Sequence, residues 1–167
     1  DPVIVLESIW SYQDYEVGCP FKFVAPELLS DRQFMWRAVL KNGHVFMYAS
    51  PELRADRELA LTAIATDHLA YNYVAVELRE DHDFIRAAAA ANGRILRHLP
   101  TEMRADKDIV RTCVENSPKS FECASQGLRS DRDFVMEIVR LQGHALTYAS
   151  DALLADREVV LEALNHQ

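Results

Sequence analysis

Cysteine is scarce here. Cys19, Cys113 and Cys123 make an odd number with no CxxC spacing, which argues against a disulfide framework. A reducing compartment is the plainer setting, with a Cys113–Cys123 disulfide as the minor alternative. No apolar run is long enough to span a bilayer, and the first residues lack the basic and apolar regions of a signal peptide. A cytoplasmic location is expected, and a chain that starts at Asp1 rather than Met reads as a processed product or a fragment. Basic residues are the minority, 18 against 26 acidic, for a net charge of −8. Nucleic acid and anionic membrane are therefore not expected as partners, because both need a basic face.

Linear signatures of catalysis are missing as well. There is no phosphate loop, no dinucleotide glycine pattern, no nucleophile elbow and no HExxH. An enzyme would need a site assembled across distant residues. His68, His82, His98, Cys113 and Cys123 lack the close spacing of zinc ligands. His98 and Cys123 sit one repeat apart, and a helix spacing of about 8–10 Å is long for two ligands of one ion. No metal and no cofactor is expected.

What the chain has is repetition. Aspartate recurs at Asp31, Asp56, Asp81, Asp106, Asp131 and Asp156, a 25-residue period without slippage. Each Asp is expected to be a helix N-cap, its carboxylate taking a free N–H of the first turn. Two residues later stand Gln33, Glu58, Asp83, Asp108, Asp133 and Glu158, mostly acids where the helix dipole favours them. Apolar residues follow at helical spacing, Phe34, Ala38 and Val39 in one copy, Phe134, Ile138 and Val139 in another.

The helix should end at Asn42-Gly43, Asn92-Gly93 or Gln142-Gly143, with glycine as a left-handed cap. Asp67-His68 and Ser117-Pro118 replace that glycine, so those two ends are expected to close differently. A shorter helix is predicted from His44 to Ala49, with Phe46 and Ala49 toward the core. A Pro-started turn, Ser50 to Ala55, follows; its apolar position is Leu28, Leu53, Leu78, Met103, Leu128 and Leu153 in successive copies.

Asp1-Pro2 opens a further helix, and Ile4–Ile9 matches Val159–Leu164 with the phase shifted by five residues. The shift locates an insertion between Trp10 and Pro20. One repeat domain over residues 1–167 is expected: a helix over 1–10, an insertion loop over 11–20 and in-phase repeats over 21–167. The fold predicted is all-α, an α-solenoid of about six and a half 25-residue helix–short helix–turn units. The last helix, Asp156 to Gln167, has no partner after it. Its open flank calls for polar capping, self-association or further repeats.

The pattern of Asp-Arg, spaced apolar residues, Asn-Gly and Tyr-Ala-Ser-Pro-Glu-Leu-Arg resembles a family of short tandem repeats catalogued only as a domain of unknown function, number four-one-one-six. Its clearest copies are Asp31–Arg54 and Asp131–Leu154, with weaker ones from Asp56, Asp81 and Asp106. The resemblance implies tandem helical repeats. It brings no activity, cofactor or catalytic residue.

Three constellations remain. Arg32, Arg57, His82, Lys107, Arg132 and Arg157 follow each Asp, and a cation at a helix start opposes the dipole, so another contact must hold it. With Glu27, Glu52, Glu77 and Glu102, and Arg54, Arg79, Arg104 and Arg129, these predict a charge ladder that fixes turns and stacking register. An edge that reads a charged partner is the alternative. Phe23, Tyr48, Tyr73, His98, Cys123 and Tyr148 form a second row, either core-bordering rings or anchors for a partner. Trp36, Arg86, Arg111 and Met136 share a third position.

The candidate interaction surface is thus Tyr48, Tyr73, His98, Tyr148, Trp36, Arg86 and Arg111. In Asp81-His82-Asp83 the acids read as cap and dipole partner of a helix start, Ala87–Ala91 as plain helix propensity, and His44 and His144 as solvated. The function expected is a scaffold for an unknown protein or peptide without chemistry of its own. An enzyme with a site between repeats, and a passive spacer or self-association module of a larger protein, stand as alternatives.

Overall fold

The computed structural model describes residues 20–166, with the backbone alone at Pro20 and Phe23. The expected first helix over 1–10, the insertion after it with Cys19, and Gln167 lie outside the described residues. Among those described, every regular element is a helix. The long ones run Arg32–Lys41, Arg57–Thr66, His82–Ala91, Lys107–Asn116, Arg132–Leu141 and Arg157–Asn165. Each begins at an Asp in extended or turn backbone whose carboxylate accepts a first-turn N–H, as Asp31 does from Phe34 at 2.9 Å and Asp81 from Asp83 at 2.8 Å. None of the six is long and apolar enough to cross a membrane.

The second helix of each repeat is 3-10 rather than α: Gly43–Tyr48, His68–Tyr73, Gly93–His98, Pro118–Cys123 and Gly143–Tyr148. Its start explains the Asn before the glycine. Asn42 ends the long helix in extended backbone, φ −153° and ψ 105°, and its side-chain oxygen accepts from His44 N at 2.9 Å to cap the 3-10 segment. Asp67 and Asn92 do the same for Leu69 and Arg94.

Two expectations need correction here. The ends at Asp67 and Ser117 do not close differently: their backbones, −146°/113° and −151°/103°, match that of Asn42. Nor do the glycines supply a left-handed turn, since none of them has positive φ in that region. Space is the reason instead. A Cβ on Gly43 would collide with the Ala63 carbonyl oxygen, and would lie 2.8 Å from Asp67 N.

The expected Pro-started turn is a one-turn helix, as at Pro51–Arg54 and Asp151–Leu154. Its apolar position is buried at Leu53, Leu128 and Leu153 and only partly covered at Leu28, Leu78 and Met103.

The chain divides into two compact units, one up to Ile85 and one from Arg86. In the first, Arg32–Lys41 packs beside Arg57–Thr66, and their 3-10 segments lie side by side. Met35, Ala38, Val39, Phe46, Leu59 and Ile64 are sealed between them. A backbone bond ties successive repeats, Ser50 N to Leu29 O at 3.0 Å and Ala75 N to Arg54 O at 3.0 Å.

The second unit repeats the scheme. Lys107–Asn116, Arg132–Leu141 and Arg157–Asn165 follow one another in contact, with Ile109, Val110, Phe121, Phe134, Val135 and Ile138 buried. Ser125 N donates to Arg104 O at 2.8 Å and Ser150 N to Arg129 O at 2.9 Å. Within each unit, repeats stack so that each layer covers the apolar face of the last, the principle of an α-solenoid.

Candidate interaction surface

In four repeats the cation after the Asp has its contact, and it is the cap of the following repeat; His82 and Arg157 make no such pair among the described residues. Arg32 Nε donates to Asp56 Oδ2 at 2.5 Å while its Nη2 reaches Glu58 at 2.9 Å. Arg57 pairs with Asp81 at 3.1 Å, Lys107 with Asp131 at 2.7 Å, and Arg132 with Asp156 at 2.9 Å and with Glu158. One carboxylate thus caps its own helix and receives the cation of the helix before. The stem of Arg32 also places its guanidinium 5.0 Å from the centre of the Trp36 ring.

The rest of the expected ladder is built otherwise. Glu27, Glu52, Glu77 and Glu102 make no ion pair among the described residues. Arg54 turns back to the 3-10 segment of its own repeat, donating to Ala49 O at 2.9 Å and Met47 O at 2.7 Å. It satisfies carbonyls that a helix end leaves open. That role is invisible in a charge pattern, because the acceptors are backbone atoms.

These contacts set the titration of the caps. Asp56, Asp131 and Asp156 are held below the ordinary aspartate range first by the hydrogen bond from Arg32, Lys107 or Arg132, and then by first-turn N–H groups. At Asp81 the Phe84 N–H acts first and Arg57 after it. A carboxylate depressed in the folded state stabilises above its unfolded pKa, ordinarily 3.8, and loses that contribution as pH falls through the lower folded value. Unfolding should therefore become easier with acid from about pH 5 downward. Asp56→Ala is expected to cost about 1 kcal/mol as a lost cap, the exposed Arg32 pair adding little. Asp56→Asn keeps the cap acceptor and should cost less, with most of the loss gone at high salt. Urea unfolding at two salt concentrations measures both; equal losses for Ala and Asn would exclude capping.

Of the candidate surface residues, Tyr48 and Tyr73 occupy neighbouring 3-10 segments of the first unit, both half-buried. The Tyr48 ring lies 6.1 Å from that of Phe21. In the second unit His98, Cys123 and Tyr148 hold the same position, again half-buried. The side chain of Phe23, the first of this row, lies outside the description.

The third position is mixed. Trp36 is engaged under Arg32. Arg111 is tied to Glu137 at 2.5 Å and Asp108 at 2.7 Å, which raises its already high pKa. Arg86 is exposed and has no ion pair among the described residues.

His44, expected to be solvated, is partly buried with Nδ1 3.2 Å from Asp67 Oδ2; the same Asp67 that caps the 3-10 segment also faces the preceding repeat. His144 is exposed. Cys113 is buried, which pushes its thiol up to about 12, and Cys123 is half-buried; both are free. Among the described residues no three His, Cys, Asp or Glu side chains are placed to hold a metal ion.

Stacked three-part units, a shared cap-and-cation device and a second row at one position per repeat define an all-helical tandem-repeat protein of the α-solenoid class. The chain belongs to the family described as a domain of unknown function (DUF4116), which matches it five times in tandem, over residues 16–54, 56–104, 88–129, 106–154 and 131–166. No curated protein and no solved structure matches it.

Proposed function

We propose that the chain is a binding scaffold for a protein or peptide, without chemistry of its own. The observation that carries this is the tyrosine row. Tyr48 and Tyr73 stand on adjacent 3-10 segments in contact with each other, and both residues are half-buried. A ring fixed on one side and open on the other supplies contact area at low entropic cost, the property that makes tyrosine a frequent anchor. Arg32, Arg57, Lys107 and Arg132 are already taken up by contacts between repeats. The solvent-facing part of the row is then surface a partner can reach.

The test is a crosslinked pull-down from native extract beside a folded Tyr48→Ser, Tyr73→Ser variant. A partner captured by the wild type and reduced at least about tenfold by the variant supports the row as the contact, since two anchor residues of this kind together contribute that much or more. Equal recovery returns the tyrosines to packing.

A further inference from the structure

Charge in the second unit is sorted by edge. On its long helices Lys107, Arg111, Arg132 and Arg140 are each ion-paired with a carboxylate. On its 3-10 segments Arg94, Arg97 and Lys119 are exposed and form no ion pair among the described residues. Arg104 and Arg129, on the short helices between, have no carboxylate partner either. Each is half-buried, with its Nε sealed and without an acceptor. The acids nearest in sequence, Glu102, Glu115 and Glu122, are exposed and make no ion pair among the described residues.

The geometry of a 3-10 helix explains how these cations come to share a face. With three residues per turn, side chains at i and i+3 stand above one another. Leu96 and Phe121 fall on the buried side, and His98, Cys123 and Tyr148 border it. The third side carries Arg94 with Arg97, Lys119 with Glu122 and His144 with Thr147, and all six are exposed. Gly93–His98 lies against Pro118–Cys123, which lies against Gly143–Tyr148, and Met103–Ala105, bearing Arg104, touches the first of them. The resulting face is cationic in a chain whose net charge is −8.

Cations held side by side without counter-charge repel one another, and an anion laid across them relieves that repulsion. We propose that this face of the second unit binds an acidic, proline-rich peptide in polyproline II form. This deepens the scaffold reading and rests on it, naming the chemistry of the peptide. Spacing selects the form. Stacked helical layers lie about 8–10 Å apart. A polyproline II chain turns once in three residues at about 3.1 Å each, so every third side chain returns to one face after about 9 Å. One carboxylate per turn thus meets one repeat per layer, Arg94 or Arg97 in the first and Lys119 in the next. The prolines between reach the bordering row, where Tyr148 supplies the aromatic surface on which such chains dock. Nucleic acid is the poorer fit, because its closely spaced phosphates meet the net negative charge of the chain.

The experiment measures fluorescence anisotropy of a labelled peptide of four Glu-Pro-Pro triplets with the whole chain. Binding should weaken at least about tenfold in the double variant Arg94→Glu, Lys119→Glu, because like charges then face each other. It should also weaken between about 50 and 500 mM salt. Both positions are exposed, so the urea midpoint of the variant should stay near that of the wild type. A peptide of the same composition with its glutamates in one block should bind less tightly, since its charges match a single layer. No binding of the triplet peptide, or equal binding by the variant, would overturn the proposal. So would equal binding of the block peptide or of a single-stranded oligonucleotide of the same charge. The scaffold reading is decided separately, because Tyr48 and Tyr73 belong to the first unit. A pull-down partner lost with those tyrosines but retained by Arg94→Glu, Lys119→Glu would keep the scaffold and remove the acidic peptide.

Discussion

Gly43→Ala is expected to destabilise the protein by about 3 kcal/mol or more, well beyond an average substitution. The sign is the informative part. Where a glycine has no positive φ, alanine ordinarily stabilises by about 0.4–1 kcal/mol, because it narrows the unfolded ensemble. Gly43 has no positive φ, so conformation alone predicts a gain. Contact predicts the reverse. The new methyl would meet the Ala63 carbonyl oxygen, Thr66 Oγ1 and Asp67 N, and two of those three are backbone atoms of the next repeat. Thr66 can swing aside; the helix behind it cannot without opening the layer. Gly93 faces the Cys113 carbonyl and Gly143 that of Ala163 in the same way. Gly127 is the control: a Cβ there meets only Ser125 Oγ, at 3.9 Å, so Gly127→Ala should be neutral or stabilising by up to about 1 kcal/mol. Urea denaturation of the four variants decides. A stabilised Gly43→Ala would mean that the repeats do not approach as closely as they do here.

That glycine marks where the sequence could be read and where it could not. The period, the six caps and the apolar positions such as Phe34, Val39 and Phe134 were legible because their physics is local. An Asp reaches an N–H two or three residues on, and a helix returns to its own face every three or four. Gly43 depends instead on a carbonyl twenty residues away, across a layer whose spacing no pattern records. The natural local reading, a left-handed cap, was therefore available and wrong. The Asp67 and Ser117 ends follow from the same mistake: with no left-handed turn to make, a residue other than glycine changes nothing in the backbone.

The charge ladder was half legible. Arg32 beside a helix start was an anomaly that demanded a partner, and a partner exists. Glu27 and Glu52 looked equally available, and only the stacking geometry selects Asp56 and Glu58. Arg54 gave no comparable signal, since its acceptors are the carbonyls of Met47 and Ala49. For the tyrosine row, position could be read and burial could not. Half-exposure of Tyr48 depends on how far the neighbouring 3-10 segment reaches over it.

Phe121→Ala is expected to cost about 3–5 kcal/mol, the range for removing a fully buried ring. Phe121 is completely buried in the Pro118–Cys123 segment, with its ring centre 6.3 Å from that of Phe134 on the following long helix. Truncation removes the ring and leaves a void between the two elements. Pro118–Cys123 is held at Ser117, whose carbonyl accepts from Ser120 Oγ at 2.7 Å, and the long helix is held by Asp131. The repeat supplies its own comparison. Leu96 occupies the same position one copy earlier and is just as buried, so the layer accepts a leucine there. Phe121→Leu should therefore cost only about 1–2 kcal/mol, the loss of apolar area without an open cavity. Because repeat stability is roughly a sum of units and nearest-neighbour interfaces, the damage should be local first. Amides of Lys107–Leu141 should lose exchange protection in Phe121→Ala before those of the first unit do. A loss of a few tenths of a kcal/mol, the size of a surface change, would place Phe121 outside the core and break the register on which the whole assignment of repeats depends.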